Sequence, residues 1–299
     1  MDEYHVPVLL EESIEGLNIQ PGGIYVDATY GGGGHSAKIL ERLNGGKLIA
    51  FDQDIDATDN ITNDDRLIFI RHNFKYIRHF LHYYQIEKVD GILADLGVSS
   101  HDFDVPDRGF SFRFDGNLDM RMNQSATLDA AKVINEYSEA QLWKIFHEYG
   151  EINNWRRLVS VISSARSNEP IRSTGQFLKV IEPCVPARIG KKYLAMVFQA
   201  LRIEVNNELK VLGDFLEITI DLLKPGGRLV VLSYHSLEDR MVKNYMRSGR
   251  IDGVQDNDFF GTRNSPFKLI NRKIITPGES EITINPRARS AKLRIAEKK

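Results

Sequence analysis

The stretch that decides the fold class of this 299-residue chain reads Ile24-Tyr25-Val26-Asp27-Ala28-Thr29-Tyr30-Gly31-Gly32-Gly33-Gly34-His35-Ser36. Its first six residues predict a buried strand, and the residues from Ser36 to Leu43 have the pattern of a helix. Four consecutive glycines join the two, and glycine permits both a sharp turn and close approach of the backbone to a ligand. A strand, a glycine loop and a helix start in this order predict an α/β fold that presents a helix N-terminus to an anionic group such as a carboxylate.

Further strands are predicted outward from this stretch. Apolar runs lie at 47–52, 67–70 and 89–95, and another at 228–233 follows a long helical pattern at 207–223. Strands that alternate with helices predict a doubly wound, mostly parallel sheet with helices on both faces.

A long segment interrupts this pattern. The 132 residues from Leu96 to Gly227 separate two strands that we expect to be neighbours, whereas a complete βαβ unit takes about 30 residues. Capping-box patterns start at Ser138 and Ser173, and apolar residues at helical spacing follow each; we expect these stripes to be core. The sequence predicts an all-helical domain, 107–204, inserted between two parts of the α/β domain, 1–106 and 205–299.

Composition excludes several classes of protein. The single cysteine, Cys184, rules out an internal disulfide and a cysteine-built zinc site, and no set of His and carboxylate residues has metal-ligand spacing, so no metal is expected. No apolar run approaches the roughly 20 residues needed to span a membrane, and the acidic N-terminus does not have the pattern of a secretory signal. A cytoplasmic protein without a membrane partner is the expectation.

Charge is unevenly distributed along the chain, although the net charge is −2. Residues 1–106 hold 8 Lys and Arg against 18 Asp and Glu, residues 107–204 hold 14 against 11, and residues 239–299 hold 14 against 7. Basic later segments indicate a surface for a polyanion such as RNA, because phosphate contacts dominate nucleic-acid affinity. A solvated surface with a basic tail would explain the same counts.

Candidate cofactor residues follow the predicted strands, at the edge where open α/β sheets bind ligands. Asp52 ends the second strand about 20 residues after the glycine loop, where an acidic side chain accepts hydrogen bonds from ribose hydroxyls. Phe74 follows the third strand, where its ring could flank an adenine. A dinucleotide fingerprint would have a third glycine at Ser36. The alternatives are a loop without a ligand, in which His35 only caps the helix, a surface Asp52 and a Phe74 that packs in the core.

The segment Asp95-Leu96-Gly97-Val98-Ser99-Ser100 after the fourth strand is the candidate catalytic segment. An exocyclic amine is a poor nucleophile because its lone pair is delocalised into the ring. Methylating it requires an acceptor for the N–H hydrogens and in-line placement against a methylsulfonium group. The Asp95 carboxylate and the Leu96 backbone carbonyl are the candidates, unless Asp95 only binds cofactor or caps the loop. A hydrolytic triad has no support, since the two serines are not in a nucleophile elbow.

A second candidate segment, Ser233 to Arg240, follows the strand at 228–233. Tyr234 and His235 are candidates for contact with a substrate base, because RNA sites hold unstacked bases on aromatic rings. Ser236 with Asp239 would alternatively cap the next helix. The residues from Lys224 to Arg228 predict a turn before this strand, of a kind common in methyltransferases with this fold.

Taken together, these segments resemble one family, the ribosomal RNA small subunit methyltransferase H family, also called MraW. The matching stretches, in order, are His5-Val6-Pro7-Val8-Leu9-Leu10, Gly33-Gly34-His35-Ser36, Asp95-Leu96-Gly97-Val98-Ser99-Ser100, Arg108-Gly109-Phe110-Ser111-Phe112, Leu118-Asp119-Met120-Arg121-Met122, Phe198-Gln199-Ala200-Leu201-Arg202-Ile203, His235-Ser236-Leu237-Glu238-Asp239-Arg240 and Asn285-Pro286-Arg287-Ala288-Arg289-Ser290. The resemblance implies a Rossmann-like class I methyltransferase domain with an inserted helical substrate-recognition domain. It further implies S-adenosylmethionine as cofactor and N4-methylation of a cytidine in the decoding centre of 16S ribosomal RNA, within the small ribosomal subunit.

Motif matching carries the family's cofactor residues onto Gly33, Gly34, His35, Asp52, Phe74 and Asp95. A further cofactor position, usually Gln, is Asp102 here, and a carboxylate accepts hydrogen bonds but cannot donate them as an amide does. The position of Tyr234 is commonly Phe in the family, so a stacking ring is retained.

Four arginines in or beside the matching stretches are predicted RNA contacts from charge and placement: Arg113, Arg121, Arg287 and Arg289. The competing functions are an assembly factor that lost catalysis, a nicotinamide-dependent oxidoreductase and a DNA amino-methyltransferase. The last usually has a Pro-Pro-aromatic tripeptide where Leu96-Gly97-Val98 stands. A homodimer is compatible with the sequence.

Overall fold

The computed structural model describes residues 7–98, 100–254 and 265–299, without the side chains of Ser100 and His101. His5, Val6 and Ser99 of the matching stretches lie outside the described residues. The chain forms two compact units, Met1–Gly97 with Leu209–Lys299 and Val98–Glu208. The inserted unit therefore begins at Val98 rather than at 107 and ends at Glu208 rather than at 204. The sequence prediction missed the short helix after residue 98, which shows no apolar stripe.

The strands all belong to the first unit: β1 (Ile24–Asp27), β2 (Lys47–Asp52), β3 (Leu67–Arg71), β4 (Val89–Asp95), β5 (Leu223–Ser233), β6 (Phe267–Leu269) and β7 (Lys292–Lys298). The helices are α1 (Leu10–Leu17), α2 (Gly34–Arg42), α3 (Ile77–Tyr83), α4 (Ser100–Asp104), α5 (Ala130–Glu136), α6 (Glu139–Lys144), α7 (Trp155–Asn168), α8 (Thr174–Ile181), α9 (Gly190–Asn206), α10 (Glu208–Leu222), α11 (Ser236–Ser248) and α12 (Glu279–Ile284). Among the helices of the described part, none combines the length and the apolar character needed to cross a membrane.

The sheet has the order β3-β2-β1-β4-β5-β7-β6. The first five strands are parallel, while β7 pairs antiparallel with both β5 and β6. The predicted doubly wound, mostly parallel sheet is confirmed, and the bounds of β2 and β4 are those that the sequence predicts. Because parallel strands end at the same edge of the sheet, Asp27, Asp52 and Asp95 all lie at the edge formed by the carboxyl ends of the strands.

Alternate residues of the strands face two apolar layers. Val26, Phe51 and Ile92 belong to one core, which α3, α10 and α11 cover. Tyr25 and Leu93 belong to the other, which α1 and α2 cover. Helices on both faces are what the near-continuous apolar strands require, since each strand buries both sides.

The predicted turn from Lys224 to Arg228 lies inside β5. Leu223 pairs with Val89 and Arg228 pairs with Gly91, so four residues of β5 bulge out where β4 has one. Gly226 has a φ of 79° in this bulge, a left-handed conformation that glycine adopts without strain. The predicted turn residues therefore form a bulge within β5, and the strand does not begin after them.

The second unit is helical, as predicted, and among its described residues the β pairing is an isolated bridge between Asn117 and Ser173. Both predicted capping boxes form, at the starts of α6 and α8. The helix α8 ends at Ile181, immediately before a short 3-10 turn that contains Pro183. Leu142, Phe146, Leu158 and Phe177 lie in one apolar core, so these stripes are core as expected.

Candidate active site

The glycine loop joins β1 to α2 in a conformation that needs glycine. Gly31 and Gly33 have φ angles of 53° and 76°. A Cβ on Gly34 would lie 2.1 Å from Cγ of Pro7. Gly33 is the N-cap of α2 and has no side chain to satisfy the first-turn N–H groups, which remain available to an anionic ligand group. His35 is therefore inside the helix and is not its cap.

A buried carboxylate fastens the end of β1 to the start of α2. Asp27 is 0% exposed, and its Oδ2 accepts a 2.7 Å hydrogen bond from the Ser36 hydroxyl. Its Oδ1 accepts a hydrogen bond from the Thr29 N–H. Burial raises the pKa of the Asp27 carboxyl above its usual range. Sequence reasoning missed this residue, although an acidic residue at the end of an apolar strand was a signal for it.

The carboxylate of Asp52 holds the same loop from β2. Its Oδ2 accepts a 2.8 Å hydrogen bond from the N–H of Gly31, and its Oδ1 accepts one of the same length from Asp54. Burial raises the pKa of Asp52 above its ordinary value. The Gln53 backbone also hydrogen-bonds to this carboxylate. A carboxylate has about four acceptor positions, so about one remains after these three bonds for a hydroxyl donor of a ligand. Asp52 is therefore more than a surface side chain.

Phe74 lies at the start of a short 3-10 helix after β3. Its ring packs edge-on against Phe215, with centroids 4.9 Å apart, and remains half-buried. One part of the ring thus contributes to the core, as the alternative interpretation held, and the rest is accessible. The preceding Asn73 donates a 2.8 Å hydrogen bond to Gln53, which follows Asp52.

Asp95, at the end of β4, contacts residues that follow β1 and β5. Its backbone N–H donates a 2.7 Å hydrogen bond to the hydroxyl of Thr29, after β1. Its Oδ1 accepts a 2.7 Å hydrogen bond from the Tyr234 hydroxyl, after β5. Its Oδ2 lies 3.8 Å from Nδ1 of His35. The carboxylate is therefore held in one orientation beside the glycine loop, at 15% exposure.

His35 connects this site to the N-terminal segment. Its side chain is buried, and Nε2 lies 3.2 Å from the Val8 carbonyl oxygen. Burial lowers the pKa of His35 below its usual range, so the ring is neutral near pH 7. With the proton on Nε2 donated to Val8, the lone pair of Nδ1 faces Asp95. Residues 8 and 35 are far apart in the sequence, so no sequence pattern indicated this contact.

Tyr234 is held on both sides. Its ring packs over Gly97, where a Cβ would lie 3.3 Å from Cδ2 of the ring, and Gly97 has a φ of 110°. Its backbone N–H donates to Oε2 of Glu238 at 2.9 Å. Burial raises the pKa of the Tyr234 hydroxyl well above its ordinary value, and the Asp95 carboxylate adds to this. The hydroxyl consequently stays protonated and donates to Asp95.

His235 has a different environment from the one predicted for a base contact. It is the N-cap of α11, where its ring accepts from the Glu238 N–H and the Glu238 side chain returns to the N-cap backbone. The predicted cap, Ser236 with Asp239, is therefore wrong: the helix begins at Ser236 itself, one residue earlier than a Ser236 cap requires. Asp239 instead accepts hydrogen bonds from Arg294 and Lys292 of β7.

Asp102 forms a buried ion pair within the second unit. Its Oδ1 lies 3.0 Å from the guanidinium of Arg108, and the two side chains are 4% and 8% exposed. The same guanidinium donates to the Arg121 carbonyl. A carboxylate so paired has a clear structural role in this unit.

The four predicted RNA-contacting arginines have unequal surroundings. Arg121 forms a two-bond ion pair with Asp119 and donates to two backbone carbonyls, so its guanidinium is committed to the fold. Arg113 and Arg289 are exposed, and Arg287 is half-buried on the 3-10 helix Pro286–Ser290. The exposed candidates are therefore Arg113 and Arg289.

Comparisons with known proteins agree along the whole chain. The model of the MraW methylase family matches residues 2–299. Proteins named ribosomal RNA small subunit methyltransferase H are similar throughout. Those from Bacteroides thetaiotaomicron and Phocaeicola vulgatus are each 59% identical over 297 residues, covering 99% of this chain and 98% of theirs. The Flavobacterium johnsoniae protein is 54% identical with the same coverage.

Among solved structures, an rRNA methylase from Streptococcus thermophilus is similar at a TM-score of 0.43 and 14% identity, covering 98% of each chain. This likeness is too distant to carry an inference. The family model and the three close relatives settle the assignment, and with it S-adenosylmethionine as the cofactor: the chain belongs to the MraW methylase family.

Proposed function

We propose that this chain methylates N4 of a specific cytidine in the 16S RNA of the small ribosomal subunit, with S-adenosylmethionine as methyl donor. The coarser part, methylation of small-subunit RNA, is supported by the names of relatives that are up to 59% identical over nearly the whole chain. The nucleotide, the N4 position and the decoding centre rest on the family resemblance and on the chemistry of Asp95.

The residues of the first unit fit the cofactor. The uncapped start of α2 after the glycine loop offers N–H groups to a carboxylate. Asp52 has an acceptor position for a ribose hydroxyl, and the accessible part of Phe74 suits an adenine ring. When bound, S-adenosylmethionine supplies a methyl group on a positively charged sulfur. We assign Gly33, Gly34, His35, Asp52, Phe74 and Asp95 to its binding.

The observation that carries the proposal is the fixed orientation of Asp95. Tyr234 and Thr29 hold its carboxylate and its backbone from two neighbouring strand ends. An oriented carboxylate accepts a hydrogen bond from the exocyclic amine, which localises the nitrogen lone pair for attack; the Leu96 carbonyl is the second candidate acceptor. Holding the reacting groups in the attacking geometry is the main contribution that the protein makes to such a transfer. In this transfer the N–C bond would form as the bond between the methyl carbon and the donor sulfur breaks, with its electron pair left on a neutral thioether, and the amine proton would pass to the acceptor.

The test is methyl transfer from labelled S-adenosylmethionine to small ribosomal subunits that lack the modification, followed by nucleoside mass spectrometry. We expect N4-methylcytidine at one position, and its loss in Asp95→Ala. The matched control is Asp59→Ala, which removes an exposed carboxylate from the same unit. The proposal fails if the label enters another base or another atom.

Parallel reactions separate the competing functions. Tight cofactor binding without label in any RNA would indicate an assembly factor without catalysis. Label in double-stranded DNA, and none in the subunit, would indicate a DNA amino-methyltransferase.

A further inference from the structure

A groove with a positively charged lining shares no lining residue with the site around Asp95. It encloses about 250 Å³ between α11, the connection from β6 to β7, and β7 itself. Four basic side chains line it: Lys243 and Arg247 on α11, Arg272 on the connection and Arg294 on β7. We call it the cationic groove. All of its lining belongs to the first unit.

The charge of the cationic groove is not neutralised by its own lining. The eight lining residues include no carboxylate. Arg294 donates a 2.7 Å hydrogen bond to Asp239, so its charge is shared. Within residues 7–98, 100–254 and 265–299, Lys243, Arg247 and Arg272 have no ion-pair partner. Three uncompensated cations therefore face the same space.

The apolar floor of the cationic groove strengthens the electric field of these cations. Met246 and Ile295 are 1% and 4% exposed, and Leu269 completes the apolar lining. A cleft that has charges of one sign and low-dielectric walls concentrates the electric field and attracts counter-ions. Solvated cations on an open surface would lack this effect.

The spacing of two of the cations is unfavourable in the free protein. Lys243 and Arg247 stand four residues apart on α11, so they lie on the same face of the helix. Like charges at this spacing destabilise a helix. An anionic partner would remove the repulsion. The groove also explains where part of the basic excess of residues 239–299, 14 Lys and Arg against 7 Asp and Glu, is concentrated.

We infer that the cationic groove binds the phosphodiester backbone of the RNA substrate, at a place separate from the methyl-transfer site. This inference rests on the proposed function. Arginine forks match phosphate oxygens in pairs, and backbone contacts of this kind fix the position of the nucleic acid and carry no sequence information. The groove thus positions the RNA, while selection of the target base belongs to the site around Asp95.

The test compares two variants with equal charge change. Arg247→Glu/Arg272→Glu alters the cationic groove, whereas Arg42→Glu/Lys47→Glu alters two exposed residues near β2. Both variants replace an arginine in the last turn of a helix. Thermal unfolding and S-adenosylmethionine affinity establish that each variant is folded. Arg247→Gln/Arg272→Gln is the milder substitute if the reversal unfolds the protein.

The measurements are the Kd for unmodified small subunits and for their deproteinised RNA across a salt series, with KM and kcat for methyl transfer. In the groove variant we expect Kd and KM to rise at least about tenfold, and the slope of log K against log salt to become shallower by about 1 to 2, since each phosphate contact contributes about 0.7–0.9. The kcat and the cofactor affinity should stay within about twofold, because the changes lie outside the methyl-transfer site. The control variant should retain the Kd and the salt slope of the wild-type protein.

Equal Kd values and slopes for the two variants would overturn the inference. A loss of binding to intact subunits but not to their RNA would also overturn it, in favour of an acidic ribosomal protein as partner. If the unmodified chain neither binds nor methylates subunits, the proposed function itself fails, a result distinguishable from the other two.

Discussion

The phenolic hydroxyl of Tyr234 donates a 2.7 Å hydrogen bond to Oδ1 of Asp95. The two residues are 139 positions apart in the chain and meet because β4 and β5 are neighbours that end at the same edge of the sheet. Since burial raises the pKa of the Tyr234 hydroxyl well above its usual value, the direction of this bond is fixed near neutral pH. The bond restrains the rotation of the candidate catalytic carboxylate.

Tyr234→Phe removes this hydroxyl and keeps the ring. A hydrogen bond to a charged group contributes about 1.5–3 kcal/mol, and we expect kcat for methyl transfer to fall by about tenfold as Asp95 loses orientation. The Kd for S-adenosylmethionine should change less than twofold, because Thr29 still holds the Asp95 backbone. Single-turnover kinetics and calorimetric titration measure the two quantities. An unchanged kcat would mean that other contacts suffice to orient Asp95.

Asp52→Asn replaces a carboxylate that accepts from the backbone N–H groups of Gly31 and Asp54. An amide has one oxygen, so it cannot accept these backbone bonds and also a bond from a ribose hydroxyl. We expect the Kd for S-adenosylmethionine to rise about 10- to 100-fold, the equivalent of one or two hydrogen bonds to a charged group. Calorimetric titration beside Asp59→Asn, an exposed carboxylate in the same loop, provides the comparison. Equal affinities in the two variants would remove Asp52 from the cofactor site.

Asp102→Asn tests whether Asp102 has a structural or a cofactor-binding role. The change leaves the buried guanidinium of Arg108 without its carboxylate, and breaking a buried pair in this way costs about 3–5 kcal/mol. We expect a loss of that order in the free energy of unfolding, measured with urea, and an unchanged Kd for S-adenosylmethionine. Asp107→Asn, at an exposed position nearby, should change neither quantity. Weaker cofactor binding at full stability would instead support the contact implied by the family resemblance.

Asp27→Asn tests the pH dependence of stability. Burial raises the pKa of Asp27 above its ordinary value of 3.8, so the folded state holds this proton more tightly than the unfolded state. The stabilising contribution is therefore complete below about pH 3.8 and is lost as pH rises through the folded pKa. The asparagine variant keeps a neutral side chain at every pH. We expect the wild type to lose stability relative to the variant as pH rises from 4 to 8, by about 1.4 kcal/mol for each unit by which the pKa is raised.

The titration of His35 changes the stability difference between the wild type and Asp27→Asn in the same direction. Burial lowers its pKa below 6.5, so its contribution is present above pH 6.5 and is lost as pH falls. The charge of Asp27 opposes that lowering, and Asp27→Asn removes the opposition, which increases the loss in the variant at low pH. Urea unfolding at successive pH values measures the difference. A difference that stays constant between pH 4 and pH 8 would contradict this account of Asp27.

The sequence by itself determined the fold class of this protein and the bounds of some of its strands. Apolar runs and glycine placement are local signals, and they predicted β2 and β4 to the residue and the capping boxes at Ser138 and Ser173. The family motifs likewise lie in contiguous stretches, so Asp52, Phe74 and Asp95 were identifiable as site candidates without a structure.

Only the tertiary structure decided which side chains meet and what each one does. The contacts of Tyr234 with Asp95, of Ser36 with Asp27 and of His35 with Val8 depend on strand order and register, which no local pattern specifies. At His235 and in β5 the sequence is compatible with more than one local structure. Packing selected the cap at His235 and the bulge in β5. The cationic groove likewise depends on the antiparallel pairing that brings β7 beside α11, since its basic residues lie as far apart in the chain as Lys243 and Arg294. Secondary structure follows from interactions between near neighbours along the chain, whereas a site is assembled by long-range packing, and for that reason the fold was predictable and the geometry of its site was not.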